Sequence, residues 1–545
     1  MNTNSVLITI AGVPKIMSDF IPDNGLATLA ACLREKGHNS IILDFNNPDT
    51  LHKVFEEKSL SDIRRIAEKL FIEKKKPTPF DILKLKILSD RIEKRKRKVF
   101  DAISEDICSI VKKNNIDFVG IKLWAGDGFI YSMRLARKLK EKFPHLKIFG
   151  GGPQVDIFQQ DIFKVTDSFD ALCFGEGEET IIGLAEMISG RIEINEIPNI
   201  IFRHNGSIVR TERRFIAELE KIPFPEYDPL VYFGIDNKIK MFVLDESRGC
   251  QNSCAFCIHP VKSGKLRKKS ADRVLREIKQ SVFTYKTRLF RFAGSNTPDD
   301  VLQNVARELN NSELKIFYSC FGNFETMKNV DFHLVSKSGC MSIFFGLESG
   351  SPEILKKAMN KRNHLEDAEK VIRNCKDAGI FTVVSVIYPA PFETEKTRKE
   401  TMDFLVRTRP DSVLVQFPGL FPQTTWGRNP EKFNFILETE NYALDVMTYQ
   451  IKQFFPPRYW KPLPYRVNGM SFKQYAGETS RFQKELNEAG ITTFVSDEAY
   501  LLSKFAGFER PSDFVDRNRY FLFAGLAEEI LKEIQIINSN SGSMK

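Results

Sequence analysis

The chain reads as an α/β protein in three parts: a Rossmann-like domain, a full or partial (β/α) barrel of the TIM type, and a small, mostly helical C-terminal domain. Two observations predict this. Short apolar strands alternate with amphipathic helices through residues 1–200 and again through 241–430, the pattern of parallel sheets with helical crossovers. A chain of 545 residues also exceeds what a single core normally holds.

In the first part, strands are predicted over 5–12, 39–44, 118–123, 147–149 and 171–174, with helices over 25–36 and 130–143. A charged helical insertion at about 52–113 interrupts the alternation. It carries Lys74-Lys75-Lys76 and the basic run 91–98, which supply much of the net charge of +9. That charge reads as a solvated helix face, and no nucleic-acid partner is expected. Residues 201–240 read as a linker.

Ligands of open parallel sheets bind at the carboxyl ends of the strands. Three glycine-bearing turns stand there: Trp124-Ala125-Gly126, Gly150-Gly151-Gly152-Pro153-Gln154 and Gly175-Glu176-Gly177-Glu178-Glu179-Thr180. Glycine lets backbone approach a bulky ligand closely. Any one of these could be only a tight turn; three on one edge favour a ligand site.

The second part repeats βα units, with strands near 242–245, 289–293, 315–318, 342–346, 382–387 and 412–416. Residues 431–545 read as a capping or substrate domain that ends in a polar, frayed tail over 538–545. No apolar run approaches the roughly 20 residues that span a bilayer. The start lacks a basic region and a long apolar core, so no signal peptide, no membrane partner and a cytoplasmic location are expected.

Nine cysteines, three of them within eight residues, suggest metal or redox chemistry in a reducing compartment. Cys250, Cys254 and Cys257 follow the first strand of the barrel-like region. Three thiolates on one loop can hold three irons of a cubane cluster and leave the fourth open to S-adenosylmethionine. The alternatives are structural zinc, with His259 completing a tetrahedron, or plain buried cysteines. Cys32, Cys108, Cys173, Cys320, Cys340 and Cys375 are scattered through apolar patterns and read as core residues.

The spacing Cys250-x-x-x-Cys254-x-x-Cys257, with Phe256 before the last cysteine, resembles the signature of the radical S-adenosylmethionine (radical SAM) family. Phe345-Gly346-Leu347-Glu348-Ser349-Gly350-Ser351 is similar to that family's fourth-strand segment, and Asn296 lies where its second strand ends. The resemblance implies a 4Fe-4S cluster on the three cysteines and S-adenosylmethionine near Phe256, Asn296, Glu348 and Ser349. One departure is Tyr388-Pro389-Ala390-Pro391-Phe392-Glu393-Thr394, which replaces the glycine-rich turn of relatives.

Residues 1–200 resemble the cobalamin-binding domain that precedes the radical domain in one large subclass. The implied contacts are Trp124, Ala125, Gly126, Gly151, Gly152, Pro153, Gln154, Gly175, Glu176, Gly177, Glu178 and Thr180. No Asp-x-His-x-x-Gly motif is present, since the only Asp-x-His, Asp331-Phe332-His333, lacks the glycine. No histidine ligand to cobalt is therefore expected.

The resemblance implies a class B methyltransferase, moving a methyl group from S-adenosylmethionine via methylcobalamin to an unactivated carbon or phosphorus of a small molecule. A non-methylating rearrangement, ring contraction or cyclisation is the alternative, and a non-catalytic zinc or cobalamin module is a further one. Arg458, Tyr459 and Arg466 are candidate contacts to an anionic substrate. A low-potential donor such as a ferredoxin or flavodoxin is the expected protein partner.

Overall fold

A computed structural model describes residues 2–55, 61–451, 455 and 457–543, and all of their side chains except those of Arg458 and Ser543. The first sheet contains parallel strands β1 (Asn4–Thr9), β2 (Asn39–Asp44), β3 (Phe118–Lys122), β4 (Lys147–Gly151) and β5 (Ala171–Cys173). The segment 201–240, expected to be a linker, instead extends this sheet. An antiparallel hairpin of β6 (Ile200–His204) and β7 (Ser207–Arg210) joins beyond β5, and β8 (Tyr232–Phe233) joins beyond β2. The order is β7-β6-β5-β4-β3-β1-β2-β8.

Helices α1 (Asn24–Glu35), α2 (Pro48–Phe55), α3 (Ser61–Ala67), α4 (Pro79–Lys113), α5 (Asp127–Lys142), α6 (Pro153–Phe158) and α7 (Glu178–Ile188) surround the sheet. The insertion is α2 to α4. Thr78 caps α4 by accepting from the Asp81 amide at 3.2 Å, and Pro79 occupies its first turn, as helix starts favour. Its buried stripe of Leu85, Leu88, Ile92, Val99, Ile103 and Ile107 joins the core formed by Val6, Ile8, Val119 and Ile121. On the opposite face, Leu26, Ala30, Ile181 and Leu184 of α1 and α7 pack with Leu7.

The second sheet starts with β9 (Met241–Leu244). A short hairpin, β10 (Ser247–Arg248) with β11 (Arg267–Lys268), follows it and encloses α8 (His259–Ser263). Then come α9 (Ala271–Tyr285), β12 (Leu289–Phe292), α10 (Asp299–Asn310), β13 (Phe317–Gly322), β14 (Cys340–Glu348), β15 (Phe381–Ile387) and β16 (Ser412–Gln416). All pair in parallel, and β9 does not close onto the far edge, so the barrel is partial.

The C-terminal stretch does more than cap. After the short hairpin of β17 (Phe435–Leu437) and β18 (Tyr465–Val467), β19 (Thr492–Thr493) adds a seventh strand beside β16. The helix Asp497–Phe505 then packs against β13, β14 and β15. Its fully buried Asp497 accepts from Arg291 at 3.0 Å and from Ser319 at 2.9 Å. The tail is not frayed over its described part: 527–543 is one helix, with Ile530, Ile534 and Ile537 fully buried. Asn538 donates to the Lys238 carbonyl and accepts from the Lys240 amide.

Candidate cofactor site

The cysteine loop leaves β10 at Gly249, where φ is +79° and an added Cβ would stand 2.1 Å from the Lys265 carbonyl oxygen. Only glycine fits this approach. The Cys250 amide donates to the Gly264 carbonyl at 3.0 Å, closing the loop against α8. Further along, Ala255 is gripped on both sides, donating to Met359 O at 2.8 Å and accepting from Trp426 N at 3.0 Å. Phe256 leans on Trp426, with centroids 5.7 Å apart.

Cys250 Sγ accepts from the Asn252 amide and from Asn296 Nδ2, each at 3.4 Å. A sulfur that accepts two N–H groups suits a thiolate ligand of iron. Burial raises the pKa of Cys254 and pushes that of Cys257 up to about 12, so the positive charge of a bound cluster would be needed to hold them ionised. Among the described residues, no three His, Cys, Asp or Glu side chains form a group able to hold a metal ion. The thiolates of a cubane bind separate irons and need not share a centre. Burial, then Lys262, pushes His259 down to about 4, and its Nδ1 lies 3.2 Å from Ser295 Oγ.

Above this loop lies a cavity of about 310 Å³ shared by both sheets. Its apolar depth is the α1/α7 side of the first sheet, with Leu7, Leu26, Leu29, Ile181 and Leu184. Its mouth is formed by Gly150 to Pro153 and Gly175 to Glu178 on one side, and by Ser247 to Gly249, His259, Lys262 and Gly294-Ser295 on the other. The glycines make a cradle that side chains would fill: a Cβ on Gly152 would stand 2.9 Å from Lys122 Cγ, and one on Gly177 would stand 3.2 Å from Leu29.

Ion pairs across the mouth join the two domains. Arg248 reaches Glu178 at 2.6 Å and Asp245 at 2.8 Å, while Arg267 grips Glu176 through both terminal nitrogens at 2.6 and 2.9 Å. Burial opposes the charge on Arg248, but Glu178 and Asp245 overcome it and leave its pKa above the ordinary value. Asp156 also lines the cavity. Burial pushes its pKa up to about 6, despite the Gly175 amide donating at 2.7 Å.

Family comparisons agree with this two-part site. A model of the B12 binding domain matches residues 87–185, and one of the Radical SAM superfamily matches 247–405. The chain carries a B12-binding domain and a radical SAM domain. Among curated proteins it resembles an uncharacterized methyltransferase of Pyrococcus horikoshii, 26% identical over 339 residues, 59% of this chain and 73% of that protein. It also resembles the cytidylyl-2-hydroxyethylphosphonate methyltransferase of Streptomyces wedmorensis, 24% identical over 51% of this chain and 58% of that one. Among solved structures, the radical S-adenosylmethionine methyltransferase TsrM of Kitasatospora setae shares the fold, with a TM-score of 0.63 at 14% identity over 98% of this chain and 99% of that one.

Around Cys250, Cys254 and Cys257, the structure gathers Phe256 and Asn296 as described. Glu348 sits in a bulge of β14 with φ at +71°, its carboxylate 3.4 Å from Lys361 and 3.3 Å from Ser385; burial raises its pKa. Ser349, by contrast, turns away: its hydroxyl bonds Thr401 Oγ1 at 3.1 Å and accepts from the Ser351 amide.

In the B12-binding domain, Gly151, Gly152, Pro153, Gly175, Glu176, Gly177, Glu178 and Thr180 line the cavity, whereas Trp124, Ala125, Gly126 and Gln154 do not. Trp124 donates to Thr9 Oγ1 at 2.8 Å and carries Lys122 over its ring. Gly126 faces Tyr449, and the adjoining Asp127 accepts from Gln450 at 2.8 Å, so this turn supports the C-terminal stretch. Glu176 and Glu178 line the cavity with their carboxylates committed to arginines.

Three residues were expected to contact substrate. Arg466 pairs with Glu438 at 2.8 Å, Tyr459 is exposed, and the Arg458 side chain lies outside the described residues. Sequence reading missed Arg248, Arg267, Asp156 and Lys262. A cation directly before the cysteine loop was the available signal.

Proposed function

We propose that this protein is a cobalamin-dependent radical SAM methyltransferase, which moves a methyl group from S-adenosylmethionine to an unactivated carbon or phosphorus of a small molecule. The observation that carries this reading is the shared cavity, lined at once by the glycine turns of the B12-binding domain and by residues flanking the cluster cysteines. Relatives named as methyltransferases, including a bacteriochlorophyllide methyltransferase of Chlorobaculum tepidum, support methyl transfer.

Cys250, Cys254 and Cys257 would hold the cluster, and the glycine turns with the apolar slot between α1 and α7 would hold the corrinoid. When bound, these groups supply the electron and the methyl carrier. The chain's own residues bind and orient. Asn296 donates to Cys250, Glu348 with Lys361 offers a charged pair beside Cys254, and Arg248 and Arg267 fix the distance between the two cofactor sites. Lys262 lines the cavity and has no carboxylate within 4 Å among the described residues, which favours an anionic group on the substrate. A low-potential donor such as a ferredoxin or flavodoxin would deliver the electron.

The test is anaerobic incubation of reconstituted protein with methyl-labelled S-adenosylmethionine, a one-electron donor and candidate extracts. S-adenosylhomocysteine and 5′-deoxyadenosine should both form, with label in a third product. 5′-Deoxyadenosine alone would replace methylation by a rearrangement or cyclisation. Cys254→Ala should abolish the brown colour and both products, and a colourless wild-type protein holding zinc would end the reading.

A further inference from the structure

Helix α4 presents an outer face that the cofactor site does not use. Phe80, Leu83 and Ile87 along it are 60%, 56% and 50% exposed, and Ile72 just ahead of the helix is 48% exposed. At 3.6 residues per turn, these three share one arc of about 140° with Lys86, Arg91, Lys94, Arg97 and Lys98. All five cations are exposed, and Asp90 is the acid among them; Asp101 and Glu105 follow on the same arc, paired with Arg134 and with Lys138 and Lys142. Other cations of α4 have partners, Lys84 with Asp62 at 2.9 Å and Lys96 with Asp127 at 3.0 Å. Among the described residues, the five on the outer arc have no carboxylate within 4 Å.

The stripe Leu85, Leu88, Ile92 and Val99 locks the opposite side of α4 into the core, so the outer face cannot rotate inward. Its character changes along the helix: large apolar groups protrude over the first two turns, and unopposed cations fill the next three. Large apolar groups exposed together on one helix face offer a contact surface.

Charge selects the occupant. A second copy would set its cations against like charges if the two helices ran parallel, and against Phe80, Leu83 and Ile87 with no counter-charge if they ran antiparallel. An electron donor is poorly served, because α4 covers the Val6 and Ile8 side of the sheet while the cavity opens on the Leu7 and Gly120 side. We propose that the outer face of α4 docks the protein on an anionic lipid surface. Phe80, Leu83 and Ile87 enter the acyl boundary, and the basic half lies along the headgroups.

The test is flotation of the full-length protein with vesicles of equimolar phosphatidylglycerol and phosphatidylcholine, beside vesicles of phosphatidylcholine alone. Binding is expected to the anionic vesicles at about 50 mM salt and release at about 0.5 M, where screening shortens the reach of surface charge. Leu83→Glu, and separately Arg91→Glu with Lys94→Glu, should each cut the floated fraction tenfold or more. Their melting temperatures should not change, since these side chains face solvent. Phe80→Trp should shift its emission to the blue on anionic vesicles only. Protein that stays in the aqueous fraction, a Leu83→Glu variant that floats like wild type, or unshifted Phe80→Trp emission would each overturn the proposal. An acidic protein captured in place of lipid would overturn it equally.

Discussion

Asp156 sits in the first turn of α6 with its carboxyl in the cavity wall, and its proton is worth following. Burial outweighs the bond from Gly175 and the pull of Lys262, so the native carboxyl titrates near pH 6 while the unfolded one titrates near its ordinary value. Between those two pH values the native chain binds more protons than the unfolded chain. Stability from this group is therefore full at about pH 4 and declines as pH rises through 6. The loss by neutral pH is roughly 3 kcal/mol. Asp156→Asn keeps an acceptor for the Gly175 amide and cannot ionise. In calorimetry of the apo chain, wild type should lose stability relative to this variant between about pH 4 and 6.5. Parallel profiles would mean that Asp156 is charged at little cost. Arg248 works by the opposite logic, its charge being retained in a buried place because two carboxylates meet it.

Among the elements, the hairpin of β10 and β11 carries the most consequence, since both the cysteine loop and the arginine clamps hang from it. Gly249→Ala would force a Cβ to within 2.1 Å of the Lys265 carbonyl at a positive φ. Gly379→Ala is the matched control, with a φ of +73° and nothing within 4 Å of the new Cβ, so it suffers backbone strain alone, of about 1 kcal/mol. After anaerobic reconstitution, iron and sulfide should fall by at least half in the first variant and hold in the second; equal iron in both would show that the loop tolerates opening. The elements legible from sequence were those with a continuous apolar run beside a glycine turn, such as β1, β3 and the approach to Gly150. The hairpin β6–β7 escaped because Ser207 and Ile208 are exposed and offer no alternation. The last helix escaped because its polar end satisfies backbone groups of another segment, a pairing about 300 residues away. The acidic turn Glu176-Gly177-Glu178 was legible as a feature of the site. That its carboxylates clamp arginines 70 and 91 residues away required the fold, since no local pattern encodes a distant partner.

At the scale of the whole molecule, the last helix ties the two sheets together. Its isoleucines at 530, 534 and 537 recur at helical spacing and are fully buried, Glu533 pairs with Arg517, and the helix packs on α2 of the insertion and on the helix Asp497–Phe505. Just ahead of it, Gly525 lets Phe55 of α2 come close enough that a Cβ there would stand 2.2 Å away. Asn538 holds the strand entry at Lys238 and Lys240, where the chain passes from the first sheet to β9. Burying three isoleucines contributes about 6 kcal/mol, an upper value because the unfolded chain already hides some apolar surface. A chain ending at residue 526 should melt about five degrees lower. It should also bind cobalamin more weakly, read by the absorbance change on titration, although no residue of that helix lines the cavity. The second effect is the sharper one, because it follows only if the helix sets how the two domains meet across the mouth. A truncated chain that melts early yet binds cobalamin as tightly as the full chain would confine the helix to local packing.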